Sequence, residues 1–329
     1  MNRKKFLTTM GLVAISIGAL SGPVHGQARP APDRYLLPDQ AKSAFPEGIA
    51  RSGKDIFVGS ATDGTLYRGS TSRERLRVFV PAGTDGLTQA LGMKVDRRGR
   101  LLVAGGNTGK VLVRDSRSGR LLGTFTTAVP GSTLNDLAIT RDGDVYVTDT
   151  AKPTLYRIRA EALAAARPGK ALPLEPWLDL RDSPIVYEPD AQLDVNVNGI
   201  VVAPGGRHLV VADTNSKSLY RIGLRDKKIR PVDLGGVPVM GDGLVLVGDE
   251  LYAVDASTPP GNAIVRIRLG ATAAAGRVLS RTTSSRLKFP STAVADGDDL
   301  LVVNLQFDRL ASGQAPDLPF DVVRVPRRR

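Results

Sequence analysis

Four short polar stretches recur along the chain at close to one interval, and that recurrence limits the fold more than any other feature. They are Phe45-Pro46-Glu47-Gly48-Ile49, Leu134-Asn135-Asp136-Leu137, Val197-Asn198-Gly199-Ile200 and Gly241-Asp242-Gly243-Leu244. Each puts a carboxylate or a side-chain amide at the mouth of an apolar strand, and a hairpin follows. The interval is 44 residues from 47 to 91, from 91 to 135, and again from 198 to 242. Several short strands repeated at that period are the pattern of a β-propeller.

Taken in order, the first repeat closes an inner strand at Ile49 and Ala50 and continues with strands over 55–60, 65–69 and 75–80. Its turns, Ser52-Gly53 and Asp63-Gly64, are hairpin signals. The second repeat has strands over 91–96, 101–105, 111–115 and 121–126, and the third over 134–140, 145–149 and 155–159. The period then stretches to 63 residues, from 135 to 198. The surplus, about 160–190, holds an alanine-rich run at 160–167 with good helix propensity and a proline-containing segment through Trp177. It reads either as a lid on the binding face or as an outer-edge decoration.

The fourth repeat follows over 199–203, 208–213 and 218–223, and the fifth over 243–247, 250–255, 263–269 and 277–281. The sixth starts near Ser291, continues over 299–305 and, after a polar loop, 320–325. Only Pro326 and three arginines remain, so its fourth strand must come from elsewhere. Residues 34–37 precede the first repeat with nothing of their own to pair with. They are predicted to be the outermost strand of the sixth blade, which removes two exposed sheet edges. The expectation is an all-β chain with one domain over 29–329, a six-bladed propeller of four-stranded blades closed by its N-terminal strand.

Arg3, Lys4 and Lys5 followed by an apolar run without acids mark 1–28 as a secretory signal peptide. Asn2-Arg3-Lys4-Lys5-Phe6-Leu7 is similar to a twin-arginine signal with one arginine replaced, and ordinary secretion is the default. The expected location is therefore secreted or periplasmic, with no stable membrane anchor. The chain has no cysteine, so no disulfide frame is available, and stability must come from core burial, bound metal or both. The formal net charge of +12 is scattered over strands and turns, with one cluster at Arg327-Arg328-Arg329. Without interleaved aromatics or a nucleic-acid module, nucleic-acid binding is not expected.

In a ring of blades the innermost strands converge, so Glu47, Asn135, Asn198 and Asp242 should approach one another at the channel mouth. Left alone, Glu47 and Asp242 would repel and lose hydration. A divalent cation resolves this with two carboxylates and neutral amide oxygens. The all-oxygen set favours Ca²⁺, with Zn²⁺ or Mg²⁺ as alternatives. The competing reading is that Asn-Gly, Asp-Gly and Pro-Glu-Gly are turn sequences present for backbone reasons alone.

Over about 45–305 the chain resembles the six-bladed propellers of the SMP-30, gluconolactonase and luciferin-regenerating-enzyme family, also grouped as calcium-dependent phosphotriesterase-like proteins. The resemblance is most specific in Asn198-Gly199-Ile200 with Pro204-Gly205-Gly206 and Asp213, and in Asp242-Gly243-Leu244. It implies a metal held by Glu47, Asn198 and Asp242, with Asn135 facing substrate or a metal-bound water. It further implies hydrolysis of a lactone or related ester, in which Asp242 activates water as general base. Two departures weaken a sugar-lactone substrate. Thr133 stands where family enzymes often carry a substrate-binding arginine, and Ile49-Ala50 follow Glu47-Gly48 where an aromatic is usual.

Other chemistries find no residues. Beyond the leader only His208 remains, beside Arg207 on a strand, so histidine-pair, imidazole-metal and serine-triad sites are not expected. Gly105-Gly106-Asn107-Thr108-Gly109-Lys110 lies in a hairpin rather than before a helix and reads as a turn, not a phosphate loop. Two functions remain: a secreted metal-dependent hydrolase of small lactones or esters, or a non-catalytic propeller that binds a protein or cell-wall ligand around a structural metal.

Overall fold

Strands arise where the sequence runs apolar for four to six residues, and the second strand of each repeat shows why those runs are unbroken. A computed structural model describes residues 31–188, 196–258 and 260–328. The proposed signal peptide and residues 189 and 190 of the insertion lie outside the described residues. In Asp55–Ser60, Ile56 and Val58 pack into one cluster and Phe57 into the next. Arg100–Ala104 divides likewise, Leu101 and Val103 to one side, Leu102 and Ala104 to the other. Alternate side chains point to opposite faces of a strand, so a strand buried on both faces must be apolar throughout.

The strands are, in chain order, β1 (Arg34–Leu36), β2 (Pro46–Ser52), β3 (Asp55–Ser60), β4 (Leu66–Ser70), β5 (Arg73–Val80), β6 (Met93–Val95), β7 (Arg100–Ala104), β8 (Lys110–Asp115) and β9 (Leu121–Thr126). Next come β10 (Leu134–Ile139), β11 (Val145–Asp149), β12 (Thr154–Ile158), helix α1 (Ala160–Ala165), β13 (Ala171–Pro173) and β14 (Glu175–Asp179). The rest are β15 (Val197–Val202), β16 (His208–Asp213), β17 (Ser218–Gly223), β18 (Ile229–Pro231), β19 (Leu244–Val247), β20 (Glu250–Asp255), β21 (Ala263–Leu269), β22 (Gly276–Thr283), β23 (Pro290–Asp296), β24 (Asp299–Asn304), helix α2 (Phe307–Ser312) and β25 (Asp321–Pro326).

They form antiparallel meanders: β6 to β9 with β13 added, β10-β11-β12-β14, β15 to β18 and β19 to β22. An eight-stranded sheet, β2-β3-β4-β5-β1-β25-β24-β23, joins the chain's two ends. Within it β1 pairs antiparallel with β25, as predicted for residues 34–37, and touches β5 through a single parallel bridge, Leu36 to Arg75. The first strands contact one another in a closed cycle, β2–β6–β10–β15–β19–β23–β2. Apolar clusters fill the spaces between successive meanders.

The insertion mostly decorates sheet edges. Its strand β13 adds in parallel to β9, and β14 is the outermost partner of β12. Only its end reaches the channel, where Tyr187 donates to the Asp149 carbonyl at 2.8 Å and Glu188 lines the mouth. The loop after β24, expected to be simply polar, contains α2, whose Phe307 and Leu310 pack against the core.

Candidate metal centre

The polar residues leave the sheet because the inner strands are bulged at the same place. Register shifts between Pro46 and Ile49, Leu134 and Leu137, Val197 and Ile200, and Pro290 and Ala293. Each bulge leaves two residues without ladder partners: Glu47-Gly48, Asn135-Asp136, Asn198-Gly199 and Ser291-Thr292. Bulged residues can be re-aimed away from the sheet face. Asp242-Gly243 reaches the same position just before β19, with Asp242 N–H donating to the Val254 carbonyl at 2.8 Å.

The second residue of each pair is where neighbouring strands approach. A Cβ on Gly48 would lie 1.9 Å from the Leu91 carbonyl oxygen, and one on Gly199 2.4 Å from that of Asp242. Gly92 N–H donates to the Asn135 carbonyl at 2.7 Å, Gly243 N–H to that of Ser291 at 2.8 Å, and Ser291 Oγ to that of Glu47 at 2.8 Å. Glycine is needed at 48 and 199 because backbone occupies the space a side chain would take.

The turns after β11, β16 and β20 are each braced by a buried aspartate. Asp149 Oδ1 accepts from the N–H groups of Thr133, Ala151 and Lys152 at 2.9–3.1 Å. Asp213 accepts from Asn215 N–H and Ser216 Oγ, and Asp255 from Thr258 N–H and Arg281. Asp213, read as part of the family motif, is thus a turn-bracing residue.

Glu47, Asn135, Asn198 and Asp242, all four predicted site residues, line one cavity of 680 Å³ at this end of the channel. Glu47, Asn135 and Asn198 are buried, and Asp242 keeps partial access. Glu47 Oε2 and Asn135 Oδ1 are buried with no hydrogen-bond partner among the described residues. Burial pushes the Glu47 carboxyl well above the ordinary carboxylate range, the charges of Asp242 and Asp136 push it further, and Lys94 opposes them. Asp242 is pushed up to about 7 by burial and by Asp136, partly offset by a hydrogen bond from Asn198. Unpaired buried acceptors of this kind are costly in a protein interior.

This donor set fits a hard divalent cation. Two partnerless oxygens, one from a carboxylate and one from an amide, face a cavity with a second carboxylate, and a cation would satisfy them together. Among the described residues no three His, Cys, Asp or Glu side chains come together as a cluster. His208 begins β16 away from this cavity.

Sequence reasoning missed Asp136 and Lys94. Asp136 occupies the position held by glycine in Gly48, Gly92, Gly199 and Gly243. Its Oδ1 accepts from Lys94 Nζ at 2.9 Å and from Leu137 N–H at 2.8 Å, and its Oδ2 from Ile200 N–H at 3.3 Å. Glycine is replaced at this position in two repeats, by Asp136 and by Thr292, and only Asp136 brings a charge, which was the signal available. Also missed were Phe289, Phe307 and Leu310, which line the same cavity.

No known family profile and no curated protein matches the sequence. Solved structures do resemble the fold. The Malassezia sympodialis allergen Mala s 1 aligns with a TM-score of 0.62 at 15% identity, covering 90% of this chain and 97% of its own. Regucalcin from Agrobacterium tumefaciens, a calcium-binding protein, gives 0.60 at 16% identity, covering 91% and 96%. A streptogramin B lyase gives 0.57 at 15% identity, covering 82% and 79%. All three are β-propellers, and the chain has a propeller-like all-β fold.

Proposed function

We propose that the chain is a six-bladed β-propeller of the SMP-30 and gluconolactonase type that hydrolyses lactones or related esters with a divalent cation, Ca²⁺ first. The eight-stranded sheet counts as two blades, because one parallel bridge is all that joins β5 to β1. The closed cycle of six first strands supports the same count. Glu47, Asn198 and Asp242 would hold the cation, with the partnerless Asn135 Oδ1 facing it or a water beside it. The observation that carries the reading is the pair of partnerless buried oxygens, Glu47 Oε2 and Asn135 Oδ1, in one cavity with Asp242.

When bound, the cation supplies polarisation of the substrate carbonyl and stabilisation of the charge that develops on its oxygen. Asp242 accepts the proton from the attacking water. Asn135 Nδ2 donates to a substrate oxygen and orients it. Thr133 beside it offers a hydroxyl but no cationic clamp. Below the site Lys94 Nζ donates to Asp136 Oδ1 at 2.9 Å, a contact between neighbouring inner strands. The leader read in the sequence over 1–28 supports a location outside the cytoplasm, periplasmic or secreted.

Lactone and aryl-ester hydrolysis by the purified mature chain, with Ca²⁺, Zn²⁺, Mg²⁺ or EDTA, tests the reading. Turnover should require metal and fall roughly 10²–10⁴-fold in Asp242→Ala, the range for loss of a general base, with a smaller loss in Asn135→Ala. Absence of turnover across the panel, with metal still bound, would replace the hydrolase by a propeller that binds a protein or cell-wall ligand around a structural metal.

A further inference from the structure

We propose that the upper cavity is built for an uncharged ligand with an apolar arm, an ester or lactone carrying an alkyl or aryl group, and not for a polyhydroxylated or anionic one. The ester function rests on the hydrolase reading; the apolar arm and the absence of charge do not.

The cavity wall is divided. Met240, Phe289, Leu305, Phe307, Leu310 and Ala311 supply apolar surface, and five of these six come from β23, β24, α2 and their connections. Neutral polar groups line the remainder, from Gln89 before β6 through Asn135 on β10 and Asn198 on β15 to Ser257 after β20. In the cycle of first strands, β10 lies three steps from β23 in either direction, so the two arcs face each other across the channel. An apolar group on one side and hydrogen-bonding groups on the other match a ligand with a tail and an oxygen-bearing head.

The apolar arc is held in place. The rings of Phe289 and Phe307 stand 5.9 Å apart at 46° and are half-buried. Phe289 has φ 42°, a region that a bulky side chain seldom adopts. Its N–H donates to Asn262 Oδ1 at 2.8 Å and its carbonyl accepts from Gln306 N–H at 3.2 Å. The Gln306 amide in turn exchanges two hydrogen bonds with the Asp317 backbone, at 2.7 and 2.8 Å, which fixes the loop carrying α2. Phe45 repeats the Phe-Pro turn two residues before Glu47, with φ 38°, but packs in the core against Phe320. The same turn therefore serves the core in one repeat and the cavity in another.

Charge narrows the ligand further. The chain carries +12, yet the cavity lining holds Glu47, Asp242 and Glu188 and, among the described residues, no lysine or arginine. Three carboxylates outweigh the two charges of one bound divalent cation and no basic side chain adds to it, so an anionic ligand would meet a lining that stays net negative. A polyol would set hydroxyl groups against Phe289 and Phe307 without acceptors.

Non-hydrolysable γ-lactams with alkyl chains of increasing length test this by calorimetry on the Ca²⁺-supplemented mature protein, beside sorbitol and an alkyl carboxylate. Affinity should rise about three- to fourfold per added methylene until the arc is filled. Phe307→Ala should remove most of that gain while leaving the short-chain lactam nearly unaffected. Ala311→Trp, at an exposed helix position, should shorten the longest chain accepted, and it keeps the test open if Phe307→Ala fails to fold. Affinity independent of chain length, or stronger binding of sorbitol or the carboxylate, would overturn the proposal. Lactam binding without ester turnover would leave it standing while the hydrolase reading fails; turnover of sugar lactones without chain-length dependence would do the reverse.

Discussion

The two ends of the central channel are built from the same inner strands and differ in almost every chemical respect. The upper end is the 680 Å³ cavity with Glu47, Asn135, Asn198 and Asp242. The lower end is a 480 Å³ recess lined by residues such as Ile49, Ile139, Ile200, Leu244 and Val294, with Arg51 and Lys94. Above, the ladder is broken by bulges and the backbone aims oxygens inward. Below, the register is regular, from Ile49 opposite Val58 to Ser52 opposite Asp55, and aliphatic side chains alternate as pairing requires. Side-chain oxygens of the inner strands therefore gather where strand pairing lapses. Between the ends Lys94 reaches up from the lower recess to neutralise Asp136, while Arg51 below contacts the Ala295 carbonyl and Asp296.

The largest effect expected from this contrast is on the bulge itself. Gly48→Ala would drive a methyl group to 1.9 Å from the Leu91 carbonyl oxygen, and the strands would have to part. Chemical denaturation should show a loss of about 3 kcal/mol or more, the upper range for overpacking. Gly236→Ala is the comparison: with φ 78° and nothing near its Cβ, it carries only backbone strain, about 1–2 kcal/mol. Equal losses in the two variants would mean that close approach at the bulge is not what holds the inner strands together.

A smaller effect is expected between the two ends. Lys94→Met leaves Asp136 buried without its ion pair. Breaking a buried pair costs about 3–5 kcal/mol, reduced here to roughly 2 because the Lys94 side chain is 32% exposed. The positive charge of Lys94 that lowers the Glu47 carboxyl also repels a cation, so at alkaline pH, where protons no longer compete, the variant should hold a divalent cation more tightly while melting lower. A variant as stable as the parent would remove Lys94 from the account of the channel.

Much of this fold could be read from the chain because its strands are buried on both faces. The runs at 55–60, 145–149, 208–213 and 250–255 are uninterrupted and match observed strands residue for residue. Residues 34–37 were legible by elimination, as a strand without a local partner. Short outer strands were not: β18 has three residues and exposed side chains, and β14 lies beyond an insertion that hides the period. That Glu47, Asn135, Asn198 and Asp242 meet at one cavity was legible because bulge and turn share a sequence signature at matched positions. Lys94 and Asp136 were not, since they are 42 residues apart and meet only when neighbouring meanders pack. The apolar arc was hidden because Phe307 and Leu310 sit in a stretch also rich in Asp, Arg, Ser and Gly, which reads as a polar loop.

The central claim is that the broken ladder at the upper mouth makes a divalent-cation site, and calorimetric titration of metal-free mature protein with Ca²⁺ tests it most directly. At pH 7.5 the account predicts a single site whose filling releases protons, because the empty site holds Glu47 well above the ordinary carboxylate range and Asp242 at about 7. At pH 5.5 both carboxyls bind protons in competition and Ca²⁺ should bind more weakly. Raised carboxyl pKa values also make the metal-free protein lose stability as pH rises from about 4 through 7, a loss that Ca²⁺ should reverse. In Asp242→Ala the affinity should drop at least about 100-fold, beyond what second-sphere changes cause, with the fold retained. No binding heat at millimolar Ca²⁺, or equal affinity in the folded Asp242→Ala variant, would contradict the claim.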